Sequence, residues 1–435
     1  MAHFAILCRS DAGHVYPHTL IGRGLQERGH RVTLINWKAE LETRAKELDL
    51  EWHFMPPPDA PPPGRLRNSL NTLRWIAGGF LLRYFTGGKL ALWYPKLFLT
   101  QAPAVLKELD VDGIIADGTC QSIGTVAEHL GLPYVSVSVM PNNWEPTVPP
   151  IFTTWPYADT AWRRFRNRLA YAAWHLSYRP KLKLINRQRA AWNLPPHACY
   201  NDGFSRLTQV SQLVEELDFP RPALPDTVHY VGSLADGTDR KGIEFPWDRL
   251  DGRPLVYVML TTVRGGGRAE AYGRIAAACQ DLHAQVVISI GKWLEGSEVS
   301  SEAMASYPGN PIVVNFAPQW SLIQRSALVI CAGGVNTTME AIGNGIPVLA
   351  MPLSASQPGL AARLVRSGAG LMLPGHGATI KQIRENVERL LGESCFRERA
   401  QQLQQAIANA GGAARAAEIV EQALLTGEPV RRQQS

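Results

Sequence analysis

The sequence predicts an α/β protein of two doubly wound domains, each a parallel sheet covered by helices on both faces. Three observations carry this. The chain has 435 residues, more than the roughly 250–300 over which one hydrophobic core keeps growing, so two domains are the default. Short runs of Val, Ile and Leu recur along the whole chain: "HFAILC", "RVTLINW", "GIIAD" and "YVSVSV" in the first half, then "PLVYVML", "QVVISI", "PIVVNF", "LVICAG" and "PVLAMP" in the second. Helical patterns separate them, and strands that are apolar without alternation belong to parallel sheets buried on both faces.

Taken in order, the first strand is followed by a helix, "LIGRGLQERGH", that stops at Gly29, where a glycine C-cap is expected. The stretch Phe219–Pro254 is rich in Pro, Gly and charge and holds one short strand, "VHYVG", so it reads as the connection between halves. The division expected is 1–225 for the first domain, 226–252 for the linker, 253–425 for the second domain and 426–435 for a polar tail. Sheets of this kind bind ligands at the carboxyl ends of their strands, so two facing sheets define one interdomain cleft.

Composition excludes several classes. With 45% hydrophobic and 19% charged residues the chain is globular rather than disordered, and a net charge of +6 is too small to argue for nucleic acid. The six cysteines are scattered, with no CxxC pair and no metal-ligand spacing, which suits a reducing compartment. The opening "MAHFAILCRSDAGH" has too short an apolar run for a signal peptide. No stretch reaches the ~18 apolar residues needed to span a bilayer; Ile76–Leu99 is interrupted by Arg83, Lys89 and Lys96. The expected setting is cytoplasmic, at most on the inner face of a membrane. The segment 155–192 bears on that. It carries Trp155, Trp162, Trp174 and Trp192, and the chain has no acid between Thr160 and Asn201. It reads either as a helical pair with solvated charges or as a basic, aromatic surface resting on anionic lipid. A nicotinamide dehydrogenase is disfavoured, because the first βα turn lacks GxGxxG.

Three places carry chemistry. In "LVICAGGVNTTMEAIGNGIPVLAMP" a glycine turn hands a buried strand to a helix, the arrangement that offers backbone N–H groups and a positive dipole end to an anion; it serves equally as a packing turn. His14 follows the first strand, where it is placed either for general-base work or for capping the next helix. Asp117 ends "GIIAD" at the same edge of the same sheet, where a carboxylate fixes the tautomer of a histidine and stabilises its imidazolium.

With those residues in view, "GHVYPHTLIGRGLQERGHRVTLI", "ADGTCQSIGTVAEHLGLPYVSVS" and "FAPQWSLIQRSALVICAGGVNTTMEAIGNGIPVLAMPLSASQPGLAARLVRSGAGLMLP" resemble bacterial glycosyltransferases of family one. The stretch "NNWEPTVPPIFTTWPYADTAWRRFRNRLAYAAW" further resembles the zeaxanthin glucosyltransferase branch, related to the macrolide glycosyltransferases. The resemblance implies two Rossmann-like domains facing a cleft (the GT-B fold) and an inverting transfer of a sugar, with UDP-glucose the expected donor. It implies a lipophilic acceptor, no metal and no cofactor beyond the nucleotide sugar. It makes His14 the general base, Asp117 its orienting carboxylate and Gly13 an acceptor-side neighbour. On the donor side it implies Thr262, Phe316, Pro318, Gln319, Gly333, Gly334, Asn336, Thr337, Glu340, Ser356 and Gln357. Phe316, Pro318 and Gln319 correspond to the base-binding loop, the glycine turn with Asn336 and Thr337 to the diphosphate site, Glu340 to the ribose carboxylate and Gln357 to a sugar ligand.

Three departures stand beside the matches. Ala332 replaces a histidine that donates to the diphosphate, Thr261 replaces a glycine, and Ser356 replaces an aspartate that accepts from sugar hydroxyls. Restoring a histidine at Ala332 is expected to strengthen nucleotide-sugar binding, and Asp117→Asn to slow turnover less than His14→Ala. The departures keep a second reading open: a protein of this fold that binds a lipid, assists a partner or does other chemistry in the cleft.

Overall fold

A computed structural model describes residues 1–59, 88–141, 143–239, 242–260, 268–291, 307–353 and 356–432. The first sheet has seven strands: β1 (His3–Leu7), β2 (Arg31–Asn36), β3 (Glu51–Phe54), β4 (Gly113–Asp117), β5 (Tyr134–Ser138), β6 (Gln209–Ser211) and β7 (Val228–Tyr230), in the order β3-β2-β1-β4-β5-β6-β7. The second has six: β8 (Leu255–Met259), β9 (Gln285–Ser289), β10 (Ile312–Val314), β11 (Ser326–Cys331), β12 (Val348–Ala350) and β13 (Gly370–Met372), in the order β10-β9-β8-β11-β12-β13. Every neighbouring pair is parallel.

Each sheet is buried on both faces, and the alternation is visible residue by residue. Phe4, Ile6 and Cys8 join one apolar cluster while Ala5 and Leu7 join another. In the second sheet Leu328, Ile330 and Ala332 face one cluster, Val329 and Cys331 the other. This period of two inside an unbroken apolar run is why these strands read as continuous hydrophobic stretches. Strands β3, β6 and β13 were not legible: β3 is half exposed at a sheet edge, and β6 and β13 are three residues each.

The strand order locates the cleft. In both sheets the direction of winding reverses at one gap, β1/β4 in the first and β8/β11 in the second, and ligands enter such sheets at that gap, beyond the carboxyl ends of the strands. The chain following Leu7 therefore lies beside Asp117, and the glycine turn follows β11.

The chain crosses back at its end, against the sequence division that gives 253–425 to the second domain. Helix Gly412–Thr426 packs on the first sheet, with Ala416, Ala417, Val420 and Leu424 in the cluster of Phe4, Ile21 and Leu25. A Cβ on Gly24 would lie 2.8 Å from the Ala417 Cβ, so only small residues permit this approach. The tail follows: Val430 N–H donates to Leu207 O at 2.9 Å and Arg432 N–H to Asp226 O at 2.8 Å. The strand inside the linker, β7, is the edge of the first sheet.

The segment 155–192 holds one 31-residue helix, Ala161–Ala191, rather than a pair. Thr160 caps it by accepting from Arg163 N–H. Tyr171, Trp174, Tyr178, Leu182 and Ile185 form its buried stripe. Among the described residues no helix is long and apolar enough to cross a membrane.

The domains meet through buried charge. Arg363 Nε donates to Asp218 Oδ1 at 2.6 Å with neither side chain exposed, and Tyr230 OH donates to Asp218 Oδ2 at 2.8 Å. Beside them Arg221 Nε donates to Glu145 Oε2 at 3.0 Å. Gly359 N–H donates to Ile151 O at 2.8 Å, and a Cβ there would stand 2.3 Å from that oxygen, so Gly359 is required for contact across the seam.

Candidate active site

His14 lies in the first turn of helix Ala12–Gln26, immediately beyond β1. Its Nδ1 is 2.9 Å from Asp117 Oδ2, with the His14 side chain 19% exposed and that of Asp117 1%. Asp117 is held from every side. Oδ1 accepts from Thr119 N–H at 2.9 Å and Thr119 Oγ1–H at 2.7 Å, and Oδ2 also accepts from Arg9 N–H at 3.2 Å. Burial alone would raise its pKa. The His14 ring, by charge and hydrogen bond, with His18 and the Thr119 N–H, instead holds the carboxyl well below the usual range. An ionised carboxylate only accepts, so His14 Nδ1 carries the proton and Nε2 is left as a base.

Local sequence explains the posture. Pro17 sits inside the helix and has no N–H, so the Gly13 carbonyl four residues earlier loses its helical donor. That carbonyl faces the other domain, where Asn336 Nδ2 donates to it at 3.5 Å. One turn on, buried His18 donates from Nδ1 to His14 O at 2.7 Å; burial lowers its pKa, although Asp117 acts the other way. Gly118 is closely approached: a Cβ there would be 2.1 Å from Ser138 Oγ and 3.2 Å from Val137 O. The loop beyond Asp117 is fixed from behind by Lys181, whose Nζ donates to Thr119 O at 3.2 Å and Gln121 Oε1 at 2.8 Å. Burial brings the Lys181 pKa down to about 8, with Arg9 acting in the same sense and Cys120 and Asp117 opposing.

The glycine turn opens toward this pair. Gly333 has φ 72°, a conformation that favours glycine, and Gly334 is the N-cap of helix Val335–Gly343 with no side chain capping it. The first helical bond is Thr338 N–H to Gly334 O, 3.0 Å, which leaves the N–H groups of 335–337 at the helix end. A Cβ on Gly334 would meet nothing within 4 Å. Asn336 joins this end to the first domain a second time: its Oδ1 accepts from Gln212 Nε2 at 2.8 Å. Gln319, first residue of helix Gln319–Arg325 and capped by Pro318, donates through Nε2 to Glu340 Oε2. Gln357 is buried and accepts from Leu353 N–H at 2.8 Å. Its backbone oxygen lies against Gly333, 3.3 Å from where a Cβ would be.

The structure thus brings together His14 with Asp117, Gly13 with Asn336, Gln319 with Glu340, and Gly333 with Gln357. Phe316 and Ser356 lie in the same loops, and Thr337 is buried in the first turn of its helix. Thr261 and Thr262 lie outside the described residues. Ala332 is only 2% exposed and belongs to the apolar cluster of Val258, Leu260, Ile330 and Met351. Four residues escaped the sequence reading. Thr119 was signalled by its place two residues after an aspartate, a local turn pattern. His18, Lys181 and Gln212 had no sequence signal; they matter through what the fold sets next to them. Among the described residues no group of three or more His, Cys, Asp or Glu gathers as a metal site.

The family of the erythromycin biosynthesis protein CIII-like C-terminal domain matches residues 274–424. Over nearly the whole chain the protein is 32% identical to a zeaxanthin glucosyltransferase of Pseudescherichia vulneris, covering 99% of this chain and 100% of that one. It is 30% identical to a zeaxanthin glucosyltransferase of Pantoea ananas, covering 99% and 98%. Two solved structures share its fold: the glycosyltransferase of kitacinnamycin, with TM-score 0.71 at 18% identity over 97% of this chain and 98% of that one, and the calicheamicin glycosyltransferase CalG4, with 0.68 at 19% over 98% of each.

Proposed function

The chain belongs to the family-one glycosyltransferases of the GT-B fold, in their zeaxanthin and macrolide branch, and we propose that it moves glucose from UDP-glucose to a hydroxyl of a lipophilic acceptor, inverting the anomeric centre without a metal ion. One observation carries this reading: the 2.9 Å His14–Asp117 pair and the glycine turn meet across the cleft through Gly13 and Asn336.

In this reading His14 Nε2 takes the proton of the acceptor hydroxyl as its oxygen bonds to the anomeric carbon. The bond from that carbon to the phosphate oxygen breaks on the opposite face, and UDP leaves with the electron pair. The proton stays on His14, where ionised Asp117 stabilises the imidazolium. The charge growing on the diphosphate is met by the N–H groups and dipole of helix Val335–Gly343, so the departure needs no cation. Glu340, which Gln319 holds, takes the ribose in this reading, and Gln357 the sugar. The acceptor is a xanthophyll- or polyketide-like alcohol, and the activity named for the two full-length relatives supports the first of these. The protein works in the cytoplasm.

The test is transfer from UDP-glucose to a xanthophyll diol in the presence of a chelator, with the anomeric coupling of the product read by NMR. A β-glucoside formed at an undiminished rate is expected. Retained configuration or a requirement for a divalent ion would overturn the mechanism. Calorimetric silence toward every sugar nucleotide would leave the reading in which the cleft serves another purpose.

A further inference from the structure

We propose that the outward face of helix Ala161–Ala191 docks on an anionic lipid bilayer. At 3.6 residues per turn, Trp162, Phe165, Leu169 and Leu176 fall within about 60° of one another around the helix, diametrically away from the stripe that packs on the domain. All four are exposed, Trp162 by 70%. Cations accompany and then extend this face: Arg168 borders the apolar half, and toward the C-terminus Arg179 lies on the border with Lys183 and Arg187 along the centre, all exposed. Among the described residues none of these four makes an ion pair, and the helix contains no acid with which they could. The charges nearer the N-terminus are already engaged. Arg164 is paired with Asp159, and Arg166 lies 4.1 Å from the centroid of the Trp155 ring.

An apolar half that starts with an indole, followed by a cationic half on the same line, is what an interfacial helix requires. Trp, Phe and Leu enter the headgroup–acyl boundary, and Lys and Arg lie over anionic headgroups. The charge argues against the two other occupants. A second copy of this chain in a two-fold contact about the apolar half would leave the cationic half without a counter-charge, since the helix carries no acid to meet it. A nucleic acid backbone would satisfy the cations but leave Leu169 and Leu176 without a partner surface. The helix is long, and its inner side reaches the loop of the catalytic carboxylate through Lys181, so the domain that would dock is the one that holds the base. The inference does not depend on the identity of the acceptor.

The experiment uses the full chain and vesicles of phosphatidylcholine alone or mixed with phosphatidylglycerol, separated by sedimentation. Binding to the mixed vesicles only, weakening as salt is raised, is expected. Replacing Arg168, Arg179, Lys183 and Arg187 by Gln should lower partitioning roughly fivefold per cation, and Trp162→Ser with Phe165→Ser should abolish it. Ile380→Ser, an exposed apolar residue on the second domain, should leave it unchanged. Quenching of fluorescence by brominated lipid should largely disappear in Trp162→Phe, which keeps the face apolar. Equal binding to both vesicle types, or binding that survives the Gln and Ser variants, would overturn the proposal. So would a dimer in ultracentrifugation that the Ser variant dissociates while vesicles capture neither protein.

Discussion

The His14–Asp117 pair and the glycine turn occupy equivalent places, each beyond the switch point of a parallel sheet, yet they are held in opposite ways. Asp117 receives protein hydrogen bonds from Thr119, Arg9 and His14, and the loop behind it is tied to Lys181. The glycine turn has an uncapped helix end, open space at Gly334, and an asparagine engaged with the opposite domain. A group that transfers a proton needs its tautomer and direction set before a substrate arrives, and a buried carboxylate is costly unless fully paired. A diphosphate brings its own acceptor oxygens, so the turn needs only donors and room. One side is complete within the protein, and the other is shaped for a ligand to complete.

The largest effects should come from breaking the complete side. His14→Ala is expected to lower turnover by ~10²–10⁴-fold, with UDP binding by calorimetry unchanged because the role proposed for the residue is on the acceptor side. The structure also revises the expectation for Asp117→Asn. Thr119 offers two donors to one oxygen, so an asparagine would turn its carbonyl there and its NH₂ toward His14 Nδ1. That NH₂ can only donate, which forces the proton onto Nε2 and disables the base. Asp117→Asn should therefore cost nearly as much as His14→Ala. A loss of less than about tenfold would show that residue 117 does not set the tautomer of the ring.

The ligand-shaped side should respond more modestly. Ala332 lies in the apolar core, so Ala332→His should cost ~1–3 kcal/mol of stability through overpacking, read by denaturant unfolding. No gain in UDP-glucose affinity is expected, contrary to the sequence-based expectation. Tighter binding would mean that the side chain reaches the turn. Smaller still, Gln212→Ala removes one of the two anchors of Asn336 and should raise the KM for the nucleotide sugar roughly fivefold, about the worth of one neutral hydrogen bond, with kcat nearly unchanged. A fall in kcat alone would place Gln212 on the acceptor side.

The last effect is read from pH and concerns the support of the dyad. The folded pKa of Lys181 is lowered to about 8, below its unfolded value of roughly 10.4. Between those values the unfolded chain binds more protons, so stability rises with pH across that window, and below about 8 the burial penalty is fully felt. Lys181→Met lacks this term. Relative to the variant, the wild type should gain thermal stability as pH rises from about 8 toward 10, and a flat difference would show that Lys181 is not desolvated in the folded protein.

Several features were written locally. The continuous apolar runs had to be buried strands because nothing in them could face water, and the glycine turn with its helix could be read from Gly333, Gly334 and Thr337 alone. Asp117 was legible because it ends a strand. That His14 follows β1 was legible too, but not that it occupies the first turn of the helix, inside which lies the proline that frees the Gly13 carbonyl. Short strands such as β6 were missed because three residues of mixed polarity bear no period, and with β6 went Gln212.

The sequence by itself determined the two parallel-sheet domains, the glycine turn, and the histidine and aspartate at strand ends, because period, apolar continuity and turn chemistry act over a few residues. Tertiary structure alone decided that helix Gly412–Thr426 covers the first sheet, since an apolar stripe does not say which of two sheets it will bury. It also decided that Asp218 meets Arg363 across the seam, that Asn336 bridges to Gln212 and Gly13, and that Trp174 is buried while Trp162 of the same helix is exposed. Those outcomes depend on which surfaces the chain brings within a few ångströms, and charge pairing, desolvation and close packing act only once that separation has been reached.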